Sequence, residues 1–387
     1  MDAAVETREE RFGLNDEQRA IQEMVSAFAQ DRVAPNAIEW DQNRHFPLDV
    51  IKETAPLGLG GIYVGDDVGG SGLGRLDAVV IFEALAKACP AFSSFISIHN
   101  MAAWMIDEFG SQELRERFLP GLTSMEQIAS YCLTEPGSGS DAAALKTRAV
   151  RDGDSYVING SKQFISGAGV NDLYVAMVRT GDEGSSGVSA LVVPKDTPGL
   201  SFGAPEAKMG WHIQPTAQVN FDNCRVPAEN CINHEGMGFK IAMAGLDGGR
   251  LNIAACSLGG AQSALDKALE YTSERKAFGK PINQFQGLQF KMADMATELE
   301  ASRLMLYAAA NRLDQKAFDA GTWSAMAKRY VTDTGFKVAN DALQLFGGYG
   351  YLADYGVEKI VRDLRVHQIL EGTNEIMRVI IARHLTR

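Results

Sequence analysis

The sequence lacks the features expected of a nucleic-acid-binding or membrane-spanning protein. Its 37 Lys and Arg residues are outnumbered by 49 Asp and Glu residues, which gives a net charge of −12. A nucleic-acid partner favours a basic surface, so this balance argues against one. No apolar run approaches the roughly 20 residues that span a bilayer. We therefore predict a protein that binds neither nucleic acid nor membrane.

Cysteine and histidine are few and scattered. The five cysteines are odd in number and include no C-x-x-C pair, a pattern typical of free thiols in a reducing compartment. The six histidines show no i, i+4 pair, and no metal site is predicted. The first ten residues are acidic, unlike a secretory signal or an Arg-rich transit peptide. The predicted compartment is the cytoplasm, or the mitochondrial matrix if the chain is a processed product.

The pattern of apolar residues changes twice along the 387 residues. It is helical up to residue 128, strand-like from 129 to 235, and helical again with longer periodic segments from 236 to the end. Asp152-Gly153 and Asn159-Gly160 separate apolar runs and predict tight hairpin turns. We therefore predict an α+β protein with an N-terminal all-α domain (1–128), a middle antiparallel β domain (129–235) and a C-terminal four-helix-bundle domain (236–387).

One carboxylate near the end of the chain, Glu371, is a candidate base. It precedes Thr373 and Asn374, two good helix-capping types, and an apolar helical run at 376–381. Burial on the loop before this helix would raise the pKa of Glu371 and make it a stronger base. The local pattern alone favours an ordinary acid stabilised by the helix dipole.

Two other features remain ambiguous when each is taken alone. Phe164 and Ser166 alternate on one strand face and could bind a flat heteroaromatic ligand, but an ordinary sheet edge fits as well. The Gly248-Gly249 pair lies inside a helical pattern, where glycine costs about 1 kcal/mol relative to alanine. Close packing of a neighbouring helix or of a ligand would explain the pair equally.

Four stretches, taken together in their order, resemble the acyl-CoA dehydrogenase family over nearly the whole chain. Residues 131–141 (YCLTEPGSGSD) resemble the first family signature, and residues 344–350 (QLFGGYG) resemble the second. Glu274-Arg275-Lys276 with Phe278-Gly279, and residues 371–375 (EGTNE), match further motifs. The resemblance implies an acyl-CoA dehydrogenase-like α–β–α fold, FAD as the cofactor and an acyl-CoA as the substrate.

The resemblance also implies roles for individual residues. FAD would be bound by Tyr131, Leu133, Thr134, Ser140, Phe164, Ile165, Ser166, Arg275, Phe278, Phe285, Gln286, Gln344, Leu345, Phe346, Gly347, Gly348, Thr373, Asn374 and Glu375. The substrate would contact Ser140, Asp247, Gly248, Gly249, Arg250 and Arg383. Many relatives carry tryptophan and threonine at positions 164 and 166, but phenylalanine and serine keep an aromatic ring and a hydroxyl.

By the same resemblance, Glu371 would be the catalytic base that takes the α proton while the β hydride passes to flavin N5. Some relatives carry the base on the bundle helix instead, at the position of Gly249, so only one of the two base positions is filled here. The runs at 210–216, 245–259 and 365–371 resemble those of family members that act on isobutyryl-CoA, an intermediate of valine breakdown, so the resemblance implies this substrate and methacrylyl-CoA as the product.

Several alternatives stay open at this stage. Butyryl-CoA or 2-methylbutyryl-CoA could be the substrate, whereas the absence of Lys and Arg from residues 91–105 argues against a glutaryl-type acyl group. An acyl-CoA oxidase or a catalytically silent flavin-binding relative would be a different class. The family default is electron-transferring flavoprotein as the electron acceptor and a homotetramer built as a dimer of dimers.

Overall fold

The computed structural model describes residues 13–386, which form a helical part, a sheet and a second helical part, in the predicted order. The expectation drawn from the acidic first ten residues lies outside the described residues. The first part consists of α1 (Asp16–Phe28), α2 (Ala37–Asn43), α3 (Leu48–Lys52), α4 (Arg75–Ala88), α5 (Pro90–Phe109) and α6 (Gln112–Thr123).

Polar side chains fix where α1 and α4 begin. Asn15 and Gln18 form a reciprocal capping box at the start of α1, with bonds of 2.8 and 3.1 Å. α4 is capped from a distant part of the chain, because the Asp314 carboxylate accepts from the amides of Arg75 at 2.6 Å and Leu76 at 3.1 Å. A carboxylate at a helix N-terminus is stabilising, so this contact joins the first helical part to the second.

His99 on α5 joins the first part to the sheet. Its Nε2 lies 3.0 Å from the Gly60 carbonyl oxygen and 3.1 Å from that of Leu122, and its Nδ1 accepts from the Ala129 amide at 3.1 Å. Burial lowers the pKa of His99 to about 4, so the ring is neutral at physiological pH. A neutral ring protonated on Nε2 satisfies all three contacts and fixes the start of the first strand.

The strands are β1 (Ala129–Cys132), β2 (Arg148–Asp152), β3 (Ser155–Ser166), β4 (Leu173–Arg179), β5 (Val188–Pro194), β6 (Leu200–Phe202), β7 (Thr216–Pro227) and β8 (Cys231–Ile232). They form an eight-stranded sheet in the order β6-β7-β3-β2-β4-β5-β8, with β1 paired to β4. Most pairs are antiparallel as predicted, but β1 runs parallel to β4, and β2 meets β4 in parallel. The β1–β4 register joins Ala129 to Leu173, too far apart in sequence for a local signal.

One of the two predicted hairpin turns is present. β2 and β3 are antiparallel neighbours joined through Gly153, as predicted. The turn predicted at Asn159-Gly160 is wrong, because both residues lie inside β3. The register of β3 against β7 shifts there and Gly160 has a φ of 143°, so the pair forms a bulge-like irregularity. A Cβ on Gly160 would lie 2.7 Å from Cα of Thr147, which explains the need for glycine.

The second helical part consists of α7 (Gly238–Glu274), α8 (Gln286–Asp314), α9 (Ala320–Phe346), α10 (Val357–Arg365) and α11 (Asn374–Leu385), with a short ribbon of β9 (Lys276–Ala277) and β10 (Lys280–Pro281) after α7. α9 packs along α7 and α8, and α4 of the first part packs on α7. Within residues 13–386, no helix combines the length and the apolar character needed to cross a bilayer.

One of three buried hydrophobic clusters has members from all three parts of the fold. Met101 of α5, Leu133 just after β1 and Leu246 of α7 belong to the same buried cluster. A larger cluster joins the first helices to the bundle, and a third lies within the sheet. The cluster of Met101, Leu133 and Leu246 therefore brings α5, the segment after β1 and α7 together.

Candidate active site

Glu371 lies between a 3₁₀ turn at Val366–Gln368 and the start of α11. Its φ is 55° and that of Gly372 is 84°, so two consecutive residues are left-handed. Thr373 caps α11, since its Oγ1 accepts from the Ile376 amide at 3.3 Å. A left-handed residue with a side chain is uncommon and often marks a functional constraint.

The environment of the Glu371 carboxylate is that of a proton acceptor. The residue as a whole is half-buried, but its Oε2 is buried and has no hydrogen-bond partner among residues 13–386. Burial raises the pKa of Glu371 to about 7, although Arg250 and Lys328 act in the opposite direction. A carboxylate in such surroundings accepts a proton more readily than one in water.

Gly249 on α7 lies directly against this carboxylate. A Cβ atom built on Gly249 would stand 2.6 Å from Oε2 of Glu371 and 3.1 Å from Sδ of Met101. Any side chain at position 249 would therefore displace the carboxylate. The two base positions considered from sequence, 249 and 371, converge on one place from two different elements.

α7 also brings Asp247 and Arg250 to this place. Arg250 is 5% exposed and donates from Nη1 to the Asp247 carboxylate, while its Nε is buried without a partner in the described part of the chain. Burial raises the pKa of Asp247 despite the nearby guanidinium. Arg383, the other charged residue predicted to contact the substrate with Asp247 and Arg250, is exposed near the end of α11.

The sheet contributes Tyr131 to the same site. Its hydroxyl is buried, finds no partner within residues 13–386, and has a pKa raised well above its usual value by burial and then by Glu371. The segment that follows β1 is held by Lys162, whose Nζ donates to Glu135 at 2.7 Å and to the Leu133 carbonyl at 3.1 Å. Along that segment, Leu133 is buried, Thr134 half-buried and Ser140 exposed.

Phe164 presents an uncovered aromatic ring. It is 63% exposed, whereas Ile165 is buried and Ser166 is half-buried. Phe164 has a φ of 61° at a point where β3 again shifts register against β7. Such an irregularity changes the direction of a side chain, and an exposed aromatic ring suits a flat ligand.

Apart from the site around Glu371, a second cleft of about 440 Å³ brings together two of the predicted cofactor-binding segments, the one at Arg275 and the one at 344–348. It is lined by Tyr271, Arg275, Ile282, Leu288, Gln344, Leu345, Phe346, Gly347, Gly348, Tyr349 and Leu352. The Arg275 guanidinium lies 5.4 Å from the centre of the Tyr349 ring. Phe278 is 95% exposed and meets Phe285 edge-on at 6.0 Å, and Gln286 is exposed beside them.

This second cleft is distant from Glu371 in the same chain. Lys328, which contacts the loop of Glu371, and Gln344 both lie on α9, 16 residues apart in the numbering. At 1.5 Å per residue they are separated by about 24 Å along the helix. The residues predicted to bind one cofactor therefore form two groups that are well separated along α9.

The residues around the start of α11 have mixed environments. Asn374 is buried, and its side chain bonds to Lys328, Thr332 and Asp333 on α9. The Glu375 side chain is 80% exposed. The side chain of Asn374 is therefore engaged within the protein, and the backbone amides of this turn are the groups suited to an anion.

Sequence reasoning missed Lys328. Its side chain is fully buried in the middle of α9, and burial lowers its pKa to about 7. Ala325 and Val331 lie three residues away on either side and are buried with it. This apolar spacing was the available signal, but a lysine in a helix is far more often exposed.

Arg75 was also missed. Its guanidinium lies 3.9 Å from the centre of the Tyr63 ring and 4.7 Å from that of Trp104. A Cβ on Gly248 would clash with this guanidinium, and Asn252 donates to the Tyr63 hydroxyl at 3.1 Å. Arg75 thus holds two aromatic rings beside the glycines of α7.

Unpaired polar atoms occur at Trp211 and His367, whose rings are 5.5 Å apart. Trp211 Nε1 and both ring nitrogens of His367 are buried, and no group of the described chain bonds to them. Burial lowers the pKa of His367 to about 3, so this ring is neutral. Unpaired buried groups of this kind mark places where a ligand or water binds.

Comparison with known proteins accounts for all three parts of the fold. Residues 15–126 match the N-terminal domain, residues 130–224 the middle domain and residues 236–386 the C-terminal domain of the acyl-CoA dehydrogenases. These matches together extend over most of the chain, in the order expected from the sequence motifs.

Individual relatives are similar over almost their whole length. The chain is 58% identical to mitochondrial isobutyryl-CoA dehydrogenase of Dictyostelium discoideum, over 97% of this chain and 90% of the relative. It is 55% identical to mitochondrial isobutyryl-CoA dehydrogenase of Bos taurus, with the same two shares covered. The solved structure of butyryl-CoA dehydrogenase from Megasphaera elsdenii is 37% identical and superposes with a TM-score of 0.94, over 97% of this chain and 100% of that one. The chain therefore belongs to the acyl-CoA dehydrogenase family, flavin-dependent oxidoreductases that act on acyl-CoA thioesters.

Proposed function

We propose that this protein catalyses the FAD-dependent α,β-dehydrogenation of isobutyryl-CoA to methacrylyl-CoA, with Glu371 as the α-proton base. The observation that carries the base assignment is the unpaired, buried Oε2 of Glu371 lying against Gly249. The substrate assignment rests on relatives at 58% and 55% identity, each of which is an isobutyryl-CoA dehydrogenase.

In this proposal Glu371 accepts the proton that leaves the α carbon of the thioester. A positioned base of this kind is typically worth about 10²–10⁴ in rate. Arg250 supports the reaction indirectly, because a buried cation favours the ionised form of the nearby carboxylate. Gly249 leaves the space that the carboxylate occupies.

The residues around the site fit a flavin dinucleotide. Phe164 offers an exposed ring, and Tyr131, Trp211 and His367 offer buried polar atoms that have no partner in the described part of the chain. When bound, FAD supplies the acceptor for the hydride that leaves the β carbon. We assign its contacts to the segments 131–140, 164–166 and 373–375 and, for its adenosine diphosphate, to Arg275, Phe278, Phe285, Gln286 and residues 344–348.

The two groups of cofactor residues favour a homotetramer in which the second cleft serves a neighbouring subunit. The separation along α9 supports this, as does the 95% exposure of Phe278 beside the cleft. We extend the proposal to electron-transferring flavoprotein as the electron acceptor. The domain limits 1–128, 129–235 and 236–387 belong to the same proposal, and they fall between α6 and β1 and between β8 and α7.

A comparison of acyl-CoA substrates tests the proposed function. The purified yellow protein is assayed with isobutyryl-, butyryl-, 2-methylbutyryl- and isovaleryl-CoA and an artificial electron acceptor. We expect the highest kcat/KM with isobutyryl-CoA. A preference for butyryl-CoA or 2-methylbutyryl-CoA would assign the alternative substrate, and absence of anaerobic flavin bleaching with all four would reject the dehydrogenase. Rapid aerobic turnover with peroxide release and no added acceptor would indicate an oxidase.

The pH dependence of kcat/KM should report Glu371. Burial raises the pKa of this carboxyl to about 7, and only its ionised form accepts a proton. We therefore expect kcat/KM to fall about tenfold for each pH unit below that value and to level off above it. The measurement is a kcat/KM profile with isobutyryl-CoA, and a profile that stays flat across pH 7 contradicts the raised pKa.

A further inference from the structure

The loop that carries Glu371 is attached to α9 by a buried lysine. The Lys328 side chain has no exposed surface, and its Nζ donates to the Gly372 carbonyl oxygen at 2.8 Å and to Asn374 Oδ1 at 2.9 Å. In the described chain no carboxylate lies within 4.0 Å of this Nζ. A lysine ammonium group is costly to bury without partners. Both of these bonds go to the segment that follows Glu371, which indicates that Lys328 holds this segment in place.

Two neighbours of Lys328 extend the attachment to both sides of Glu371. Asp333 Oδ1 accepts from Asn374 Nδ2 at 2.7 Å and from Gln368 Nε2 at 2.8 Å. Thr332 Oγ1 accepts from the same Asn374 amide at 3.0 Å. Lys328 and Thr332 lie one turn apart on the same face of α9 and Asp333 follows them, so a single helix holds the chain before and after the carboxylate.

This attachment explains how an unfavourable backbone conformation persists. Glu371 and Gly372 are both left-handed, a conformation that a residue with a Cβ avoids. The carbonyl of Gly372, one residue after Glu371, accepts from Lys328. Strained residues persist where surrounding contacts determine them, and the three α9 side chains supply such contacts.

We propose that Lys328 is the positioning residue for the catalytic base: it fixes the Gly372 carbonyl, one residue after Glu371, and in its protonated form it places a positive charge near the Glu371 carboxylate. The inference rests on the proposed role of Glu371. The charged and titratable groups that face this carboxylate are Arg250 on α7, Lys328 on α9, Tyr131 on β1 and Tyr63 before α4. Of these, only Lys328 also bonds to the loop itself.

The test compares Lys328→Met and Lys328→Arg with Lys337→Met in the FAD-loaded enzyme. Lys337 lies on the same helix but is exposed and paired with Glu298, so its variant controls for the loss of a lysine from α9.

We expect Lys328→Met to lower kcat about tenfold with little change in KM, because misplacing a catalytic group costs rate rather than binding. The acid limb of the pH profile should move to higher pH by about one unit, since a nearby cation stabilises ionised Glu371. Lys328→Arg should restore the position of the limb, and Lys337→Met should match the wild type.

A wild-type kcat and an unmoved acid limb in folded Lys328→Met would overturn the inference. If Lys328→Met does not fold, the Asp333→Ala variant tests the attachment instead, because Asp333 is half-exposed and accepts from both Gln368 and Asn374. We expect Asp333→Ala to lower kcat several-fold, and an unchanged kcat would reject the attachment to α9. Failure of the base assignment is distinguishable, since an active Glu371→Gln variant would reject that assignment whatever Lys328 does.

Discussion

Glu371→Gln is expected to lower kcat with isobutyryl-CoA by about 10²–10⁴, the range that a positioned general base supplies. Glutamine has the shape of glutamate and fits the space beside Gly249, but it has no basic oxygen for the α proton. The loss should therefore fall on the chemical step and not on folding or flavin content. Steady-state rates with an artificial acceptor and anaerobic bleaching of the flavin band measure it directly.

The control for this variant is Glu270→Gln, which makes the same substitution at an exposed position of α7. It should leave both the rate and the bleaching unchanged. Glu371→Gln should retain its yellow colour and bind the substrate with a KM close to that of the wild type. Bleaching of Glu371→Gln at the wild-type rate would show that another group removes the α proton.

Much of the fold could be predicted because its signals are local. The Asn15 capping box and the long apolar periodicities of α7, α8 and α9 each lie within a short stretch of chain. The hairpin turn predicted at Asn159-Gly160 was wrong because the prediction used only the dipeptide, which favours such a turn in isolation. Its actual place in β3 depends on the close approach of Thr147, a tertiary contact.

The residues of the candidate site also differ in whether a local sequence pattern indicates them. Glu371 was recognisable from motifs that occur in order, and Gly249 from its alignment with the alternative base position on the bundle helix. Lys328 was not recognisable, because its two acceptors lie 44 and 46 residues further along the chain. Arg75 was missed for the same reason, since Tyr63 and Trp104 meet it only after folding.

The structure also explains why the two proposed base positions, 249 and 371, cannot both be filled. The carboxylate of Glu371 occupies the volume that a side chain at position 249 would require. A base on α7 and a base before α11 are therefore mutually exclusive solutions to one geometric problem. The glycine at 249 is as much a part of the proposed site as the glutamate at 371.

The Gly249→Ala variant tests whether the carboxylate of Glu371 needs the space beside α7. The new Cβ would stand 2.6 Å from Oε2 of Glu371, so the carboxylate must move. A displacement of about 1 Å can cost about 10²-fold in rate, and we expect kcat to fall by about that factor. Stability should not fall in parallel, because alanine is favoured over glycine in a helix by about 1 kcal/mol. Steady-state kinetics and thermal unfolding of the same sample separate the two effects.

The matched control is Gly287→Ala on α8, where a new Cβ would meet no atom of the described chain within 4 Å. This variant should gain helix stability and keep the wild-type kcat. Gly249→Ala with normal kcat would mean that the carboxylate does not need the space beside α7. A loss of rate only at position 249 would instead show that catalysis depends on the contact between α7 and Glu371, because both variants add the same methyl group to a helix.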